Sequence, residues 1–336
     1  MVVNTWDGAA NSNWDDAGNW NSTGTTDRIP TSSDDVIIPD TSSINNPTLR
    51  QDQPVQSLVM QANATVVGAG FEITIHGESS NVAIDNDAII SGVLDLEILT
   101  AGVTTLDLAG TSGNFRNIII NHADCEATLL SATTIDGNLT ITAGQLNTDA
   151  SSNYALTVAG RTQLDGGTIT CNGSTVQFGA SDYTTDYGLK MNAASTTVTA
   201  DADSTLTMSS IYAANDSSVN LSLAGSNTVT GIGPSSHVMR LLTGVVDVAT
   251  TFTITTVAGY PIVEVTDPSV SLILTPASAE TYYLGTQNMS VTALTINANA
   301  TLSTLHTSGS ATSRNLTTTG DVSVTGTLTG NASAIS

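Results

Sequence analysis

From about residue 55 onward the chain alternates apolar and hydroxylated residues in short runs. Examples are Leu139-Thr140-Ile141, Leu156-Thr157-Val158, Thr168-Ile169-Thr170, Thr175-Val176-Gln177-Phe178, Leu206-Thr207-Met208, Leu221-Ser222-Leu223, Phe252-Thr253-Ile254 and Leu294-Thr295-Ile296. Period two gives each run one apolar and one hydroxylated face, which predicts a strand with one side buried. Gly-rich or Asn/Asp-rich turns separate the runs. No stretch sustains a 3.6-residue period, so the expected class is all-β. The clearest internal repeat spans 134–179, where Leu139-Thr140-Ile141 is matched loosely to Leu156-Thr157-Val158. The spacing is irregular, about 17–25 residues, as in coils that bury an apolar face only by stacking. The pattern therefore predicts a parallel β-helix (β-solenoid) of roughly a dozen coils, each of ~20–24 residues.

Tandem β-sandwiches are the alternative, since they also place strands at short intervals. Three features rank them second. Aromatic residues are only 4% of the chain, whereas sandwich cores are usually built around a buried Trp or Tyr. Asn172-Gly173 is the single Asn-Gly pair of the hairpin type. The Thr, Ser and Asn content suits ladders of like residues on successive coils.

The chain divides by pattern into three parts. Residues 1–54 hold all three tryptophans, Trp6, Trp14 and Trp20, among Gly, Asn, Asp and Pro, with Val36, Ile37 and Ile38 as the first strand. Turns are expected before that strand, and the indoles are expected to cap the helix end over it, closing an otherwise unpaired edge. Residues 55–285 form the β-helix body. Residues 286–336 are Thr/Gly-rich coils or a fibre-like extension, without an evident capping element, which points to a homo-oligomer, a trimer being favoured.

Charge narrows the functional classes. Thirty acidic residues face seven basic ones, for a net charge of -23. The basic residues Arg28, Arg50, Arg116, Arg161, Lys190, Arg240 and Arg314 are scattered, which argues against nucleic acid and against anionic membranes. No apolar run approaches the ~20 residues of a membrane-spanning helix. Cys125 and Cys171 read as buried free thiols. With Met1 taken as the natural start, the first residues lack the basic and apolar regions of a signal peptide. A protein made inside a cell but built for use outside it points to a virion.

Two segments resemble known families. The pattern Trp6-Asp7-Gly8, Trp14-Asp15, Asn19-Trp20, Pro30, Asp34-Asp35-Val36-Ile37-Ile38-Pro39 is similar to the opening module of long β-helical surface proteins, found in bacterial adhesins and in phage structural proteins. The run Thr319-Gly320-Asp321-Val322-Ser323-Val324-Thr325-Gly326-Thr327-Leu328-Thr329-Gly330-Asn331-Ala332 resembles shaft sequences of phage tail fibres and virion fibres. Neither resemblance implies catalytic residues.

Candidate chemistry is sparse. His76, His122, His237 and His306 lie far apart and lack metal-ligand spacings. Asp85-Asn86-Asp87 begins like a calcium loop but continues into Ile89 and Ile90. Asp7, Asp15, Asp16, Asp34 and Asp35 are hard oxygen ligands, though turn-forming roles fit them better. A glycosidase would need two carboxylates about 5–9 Å apart, for which Asp201 and Asp203 are the best local pair. Tyr183, Tyr187 and Tyr212 form the one plausible sugar platform. The expectation is a structural, non-enzymatic phage virion protein without cofactor or metal: a fibre, spike or capsid-decorating subunit. Its partners would be other virion proteins or host-surface carbohydrate. A bacterial cell-surface adhesin and a carbohydrate-active tailspike are the alternatives.

Overall fold

A computed structural model of the chain describes residues 2–77, 82–110, 112–179, 187–192, 195–213, 219–231, 237–242, 245–255, 261–304 and 314–330. The described residues are nearly all β, with one short 3-10 turn at Ala17–Asn19. The strands stack in parallel from coil to coil, and the chain is a β-solenoid. It divides into two compact units, Met1–Thr157 and Val158–Ser336.

In the first unit each coil contributes short strands to three faces. One face stacks β1 (Val2–Trp6), β3 (Asp34–Ile38) and the strands Ser57–Met60, Val82–Asn86 and Gly102–Asp107. A second stacks Gln53–Val55, Glu72–Ile75 and Asp95–Ile98. The third joins Thr65–Val67 to Ile89–Ser91. The 12-residue strand Ile118–Leu129 serves two faces, pairing with Asp95–Ile98 at one end and Gly102–Asp107 at the other. Alternation sends every second side chain inward, so in-register coils build apolar columns. Val36, Leu58, Ile84, Leu106 and Leu129 form one, and Val55, Ile75, Ile98, Ile120 and Ile141 another. All are fully buried, each contributing about 1.5–3 kcal/mol of burial.

The second unit repeats this plan. Strands Thr175–Phe178, Thr205–Met208, Ser226–Val229, Thr250–Ile254, Val270–Leu274 and Ala293–Ile296 stack in parallel. Phe178, Met208, Val229, Ile254, Leu274 and Ile296 form their inward column. A second face stacks Thr162–Leu164, Leu189–Met191, Ile211–Ala213, His237–Leu241 and Ile262–Val265.

Two details differ from the sequence expectation. The segment before Val36, read as turns, contains β1 and also β2 (Trp20–Ser22), which runs antiparallel to β1. The inward positions of β1 are Asn4 and Trp6, so a buried amide interrupts the apolar alternation that would have revealed a strand. Asn4 accepts a hydrogen bond from Ser22 Oγ. Leu139 and Leu156 are also not equivalent positions. Leu139 stacks on Ile118, whereas Ala155, the residue before Leu156, accepts the N–H of Thr133. Similar tripeptides on different faces imitate a shorter repeat.

Close stacking of the coils makes specific demands. A Cβ on Gly68 would lie 2.1 Å from the backbone oxygen of Val93 on the next coil. Gly68→Ala is expected to destabilise the first unit by about 1–3 kcal/mol, read as a lowered denaturation midpoint. Cys125 and Cys171 are buried thiols, not joined in a disulfide. Burial pushes their thiols up to about 11 and about 12. Neither is expected to react with a disulfide reagent at pH 8 until the protein unfolds. Rapid labelling of the native protein would contradict this.

Candidate functional site

The three indoles meet at the start of the first unit. Trp20 lies edge-on to Trp6, with centroids 5.0 Å apart, and edge-on to Trp14 at 4.8 Å. All three are buried. Trp20 Nε1 donates to the Trp14 carbonyl at 2.8 Å, and Trp6 Nε1 to the Asn45 carbonyl at 2.6 Å. Trp14 Nε1 is buried with no partner among the described residues. The buried Asn19 side chain organises the loop: Oδ1 accepts the N–H groups of Ala10 and Asn11, and Nδ2 donates to the Asn13 carbonyl. β1 thus has β3 along one edge and β2 along the other. Val36 and Ile38 point inward beneath this cluster, while Ile37 lies on the outer side of β3.

The aspartates around the cap act locally. Asp16 Oδ1 accepts the N–H of Gly18, Asp7 Oδ1 that of Ala9, and Asp35 the hydroxyl of Ser57. Asp34 is buried and paired with Arg28. Burial pushes its carboxyl up, but the hydroxyl and N–H of Thr31 and the Arg28 guanidinium outweigh burial and hold it below the usual range. Among the described residues, no group of three or more His, Cys, Asp or Glu is placed to share a metal ion.

The second unit carries a different arrangement. Along the outer side of one face the register aligns Gln163 with Lys190, Lys190 with Tyr212, Tyr212 with Arg240, and Arg240 with Glu264. Parallel strands stand ~4.8 Å apart, so these side chains form a column on successive coils. Tyr187, just before Lys190, packs against Tyr212 with ring centroids 5.0 Å apart and planes inclined by 34°. On the following coil the Arg240 Cζ lies 5.6 Å from the Tyr212 centroid, within cation–π range. The tyrosine is thus flanked by Tyr187 before it and a guanidinium after it.

Glu264 closes this column with its side chain 1% exposed. Its Oε2 lies 3.0 Å from Arg240 Nε, an ion pair bent away from straight hydrogen-bond geometry, and 3.6 Å from His237 Nε2. Its Oε1 accepts the Thr286 hydroxyl at 2.7 Å. Burial pushes the carboxyl up, but the contacts from His237 and Thr286 and the charge of Arg240 prevail, bringing it to about 2. Gly285 leaves room for this: a Cβ there would lie 2.8 Å from Glu264 Cβ.

The remaining sequence candidates fall elsewhere. Tyr183 and His306 lie outside the described residues. Tyr187 and Tyr212 are brought together. Asp201 and Asp203 are not on a strand face. They are exposed in the turn after the strand Thr197–Ala200, closed by the Ser204 N–H on the Asp201 carbonyl at 3.1 Å. Arg240, Glu264 and His237 were not singled out from the sequence. Their signal is a charged residue at the outward position of a strand, in Val238-Met239-Arg240-Leu241 and Ile262-Val263-Glu264-Val265. The irregular coil lengths hide that these positions coincide.

No protein-family model, curated protein or solved structure matches the chain.

Proposed function

We propose that this chain is a structural, non-enzymatic subunit of a phage virion: a fibre, spike or capsid-decorating protein serving assembly, stability or attachment. One observation carries the reading. In both units most inward positions of the stacked strands are apolar side chains buried in columns that run from coil to coil. Such stacking gives a persistent surface with coil-to-coil support. The outer positions support it further, with side chains tied between coils: Arg116 to Asp95, Ser57 to Asp35, Asn121 to Glu97 and Thr286 to Glu264. Its partners are other virion proteins, host-surface carbohydrate or both, and it works as a homo-oligomer, a trimer being favoured. The flanked Tyr212 and the half-exposed Arg240 favour an attachment role, which a cell-surface adhesin would share. Immunogold labelling of purified particles with antibody to this chain tests the proposal. Labelled particles are expected. Label confined to the cell surface would replace the virion by the adhesin reading.

A further inference from the structure

We infer that Arg240 is the anchor of a binding site for a carboxylate-bearing sugar on the outer face of the second unit. The guanidinium is held on two sides. Its Cζ lies 5.6 Å from the Tyr212 ring centroid, and Tyr212 is itself backed by Tyr187. Its Nε faces the buried Glu264 carboxylate, fixed in turn by Thr286. The side chain is nonetheless 34% exposed, and among the described residues neither terminal Nη group has a partner. An arginine set beside an aromatic ring and ion-paired with a buried carboxylate, with terminal donors that no described residue takes up, is prepared for an oxyanion. The planar fork matches a carboxylate in a way that a lysine ammonium does not. Preorganisation matters because little side-chain freedom is then lost on binding.

The surroundings indicate what carries the oxyanion. Lys190 stands on the same outward column, one strand beyond Tyr212. The cationic character is local, in a chain of net charge -23. A polyanion would meet repulsion from the rest of the surface, whereas an isolated acidic residue in an otherwise neutral glycan would meet only the column. At physiological salt, charges beyond about 8 Å are largely screened, so the column decides. The choice of a sugar rests on the attachment reading above; the arginine geometry does not.

The test is a titration of the full chain, followed by isothermal calorimetry or ligand-observed NMR, with methyl β-D-glucuronide, methyl β-D-glucoside and inorganic sulfate as separate probes. Glucuronide is expected to bind, glucoside to bind at least about tenfold more weakly, and Arg240→Lys to lose about tenfold in affinity for glucuronide. Arg240→Lys retains a charge beside Glu264, and its fold is checked by circular dichroism. Tyr212→Phe, which keeps the ring against the guanidinium, is expected to retain most of the affinity. Equal binding of glucoside, equal binding of sulfate, no binding of glucuronide, or an unaffected Arg240→Lys would each overturn the inference. Particles that carry the protein but a chain that ignores glucuronide would sink this site and leave the virion reading standing. Glucuronide binding by a protein absent from particles would do the reverse.

Discussion

Trp20→Ala is expected to lower the stability of the first unit by about 3–5 kcal/mol. Trp20 is the central indole of the cap, edge-on to both Trp6 and Trp14, and its Nε1 donates to the Trp14 carbonyl. Truncation leaves a cavity bounded by two other indoles and removes the bond that ties the Trp14 backbone to β2. Aromatic edge contacts add about 0.5–1.5 kcal/mol each beyond area burial. Because all the tryptophans of the chain lie in this segment, selectively excited tryptophan fluorescence during denaturant unfolding reports on this end alone. Trp14→Phe should cost much less, because it removes a buried Nε1 that has no partner. A Trp20→Ala protein with an unchanged midpoint would show that the cluster does not hold the first coils. If such a variant lost a binding activity instead, the indoles would be a ligand site.

Arg240→Ala should destabilise the second unit by about 3–5 kcal/mol, the usual cost of leaving a buried charge without its partner. Arg240 is itself partly exposed, so water entering the gap favours the lower end of that range. The pH dependence identifies the cause. In the folded protein the Glu264 carboxyl is brought down to about 2 from its ordinary 4.5. Folding therefore favours the ionised form. The associated stability, up to about 3 kcal/mol, is fully present above pH 4.5 and is lost as the pH falls towards 2. Several aspartates, including Asp34 and Asp149, are lowered as well, so the wild-type acid profile alone does not isolate Glu264. The difference profile against Glu264→Gln does: the two proteins should converge as pH falls below 4.5. In Arg240→Ala the acid loss due to Glu264 should be smaller, because without the guanidinium the folded-state carboxyl is lowered less and folding favours the ionised form less. Parallel profiles for wild type and Glu264→Gln would refute this account of the carboxylate.

Two carboxyl groups that burial and like-charged neighbours move upward tell a complementary story. Glu72 is raised by burial and then by Glu97, Asp52 and Asp95. Asp85 is raised by burial and then by Asp87 and Asp107. Parallel coils in register bring carboxylates of like position close together, so part of the negative charge works against the first unit. The pairing of Arg116 with Asp95, together with the N–H and Nδ2 of Asn117 donated to the same carboxylate, offsets part of that repulsion.

Alternation of Leu, Ile and Val with Thr is local, and it was enough to reveal strands, an all-β class and coils that must stack, because side-chain direction in a strand follows from the backbone alone. The fate of Cys125 and Cys171 as buried thiols was equally readable. Register was not. Coil lengths vary, with hydrogen-bonded partners from 20 residues apart, as for Glu72 and Asp52, to 29, as for Thr325 and Ile296. No fixed period tells which outward residues meet. Asn4 in β1 looked like a turn residue until Ser22 supplied its partner. Asp201 and Asp203, two apart in the chain, proved to belong to a turn. Tyr212, Arg240 and Glu264 are far apart in the chain and became a site only because parallel pairing set them on adjacent coils. The strands were legible because their periodicity is a property of neighbouring residues. The column was not, because which coil faces which depends on the lengths of every turn between them.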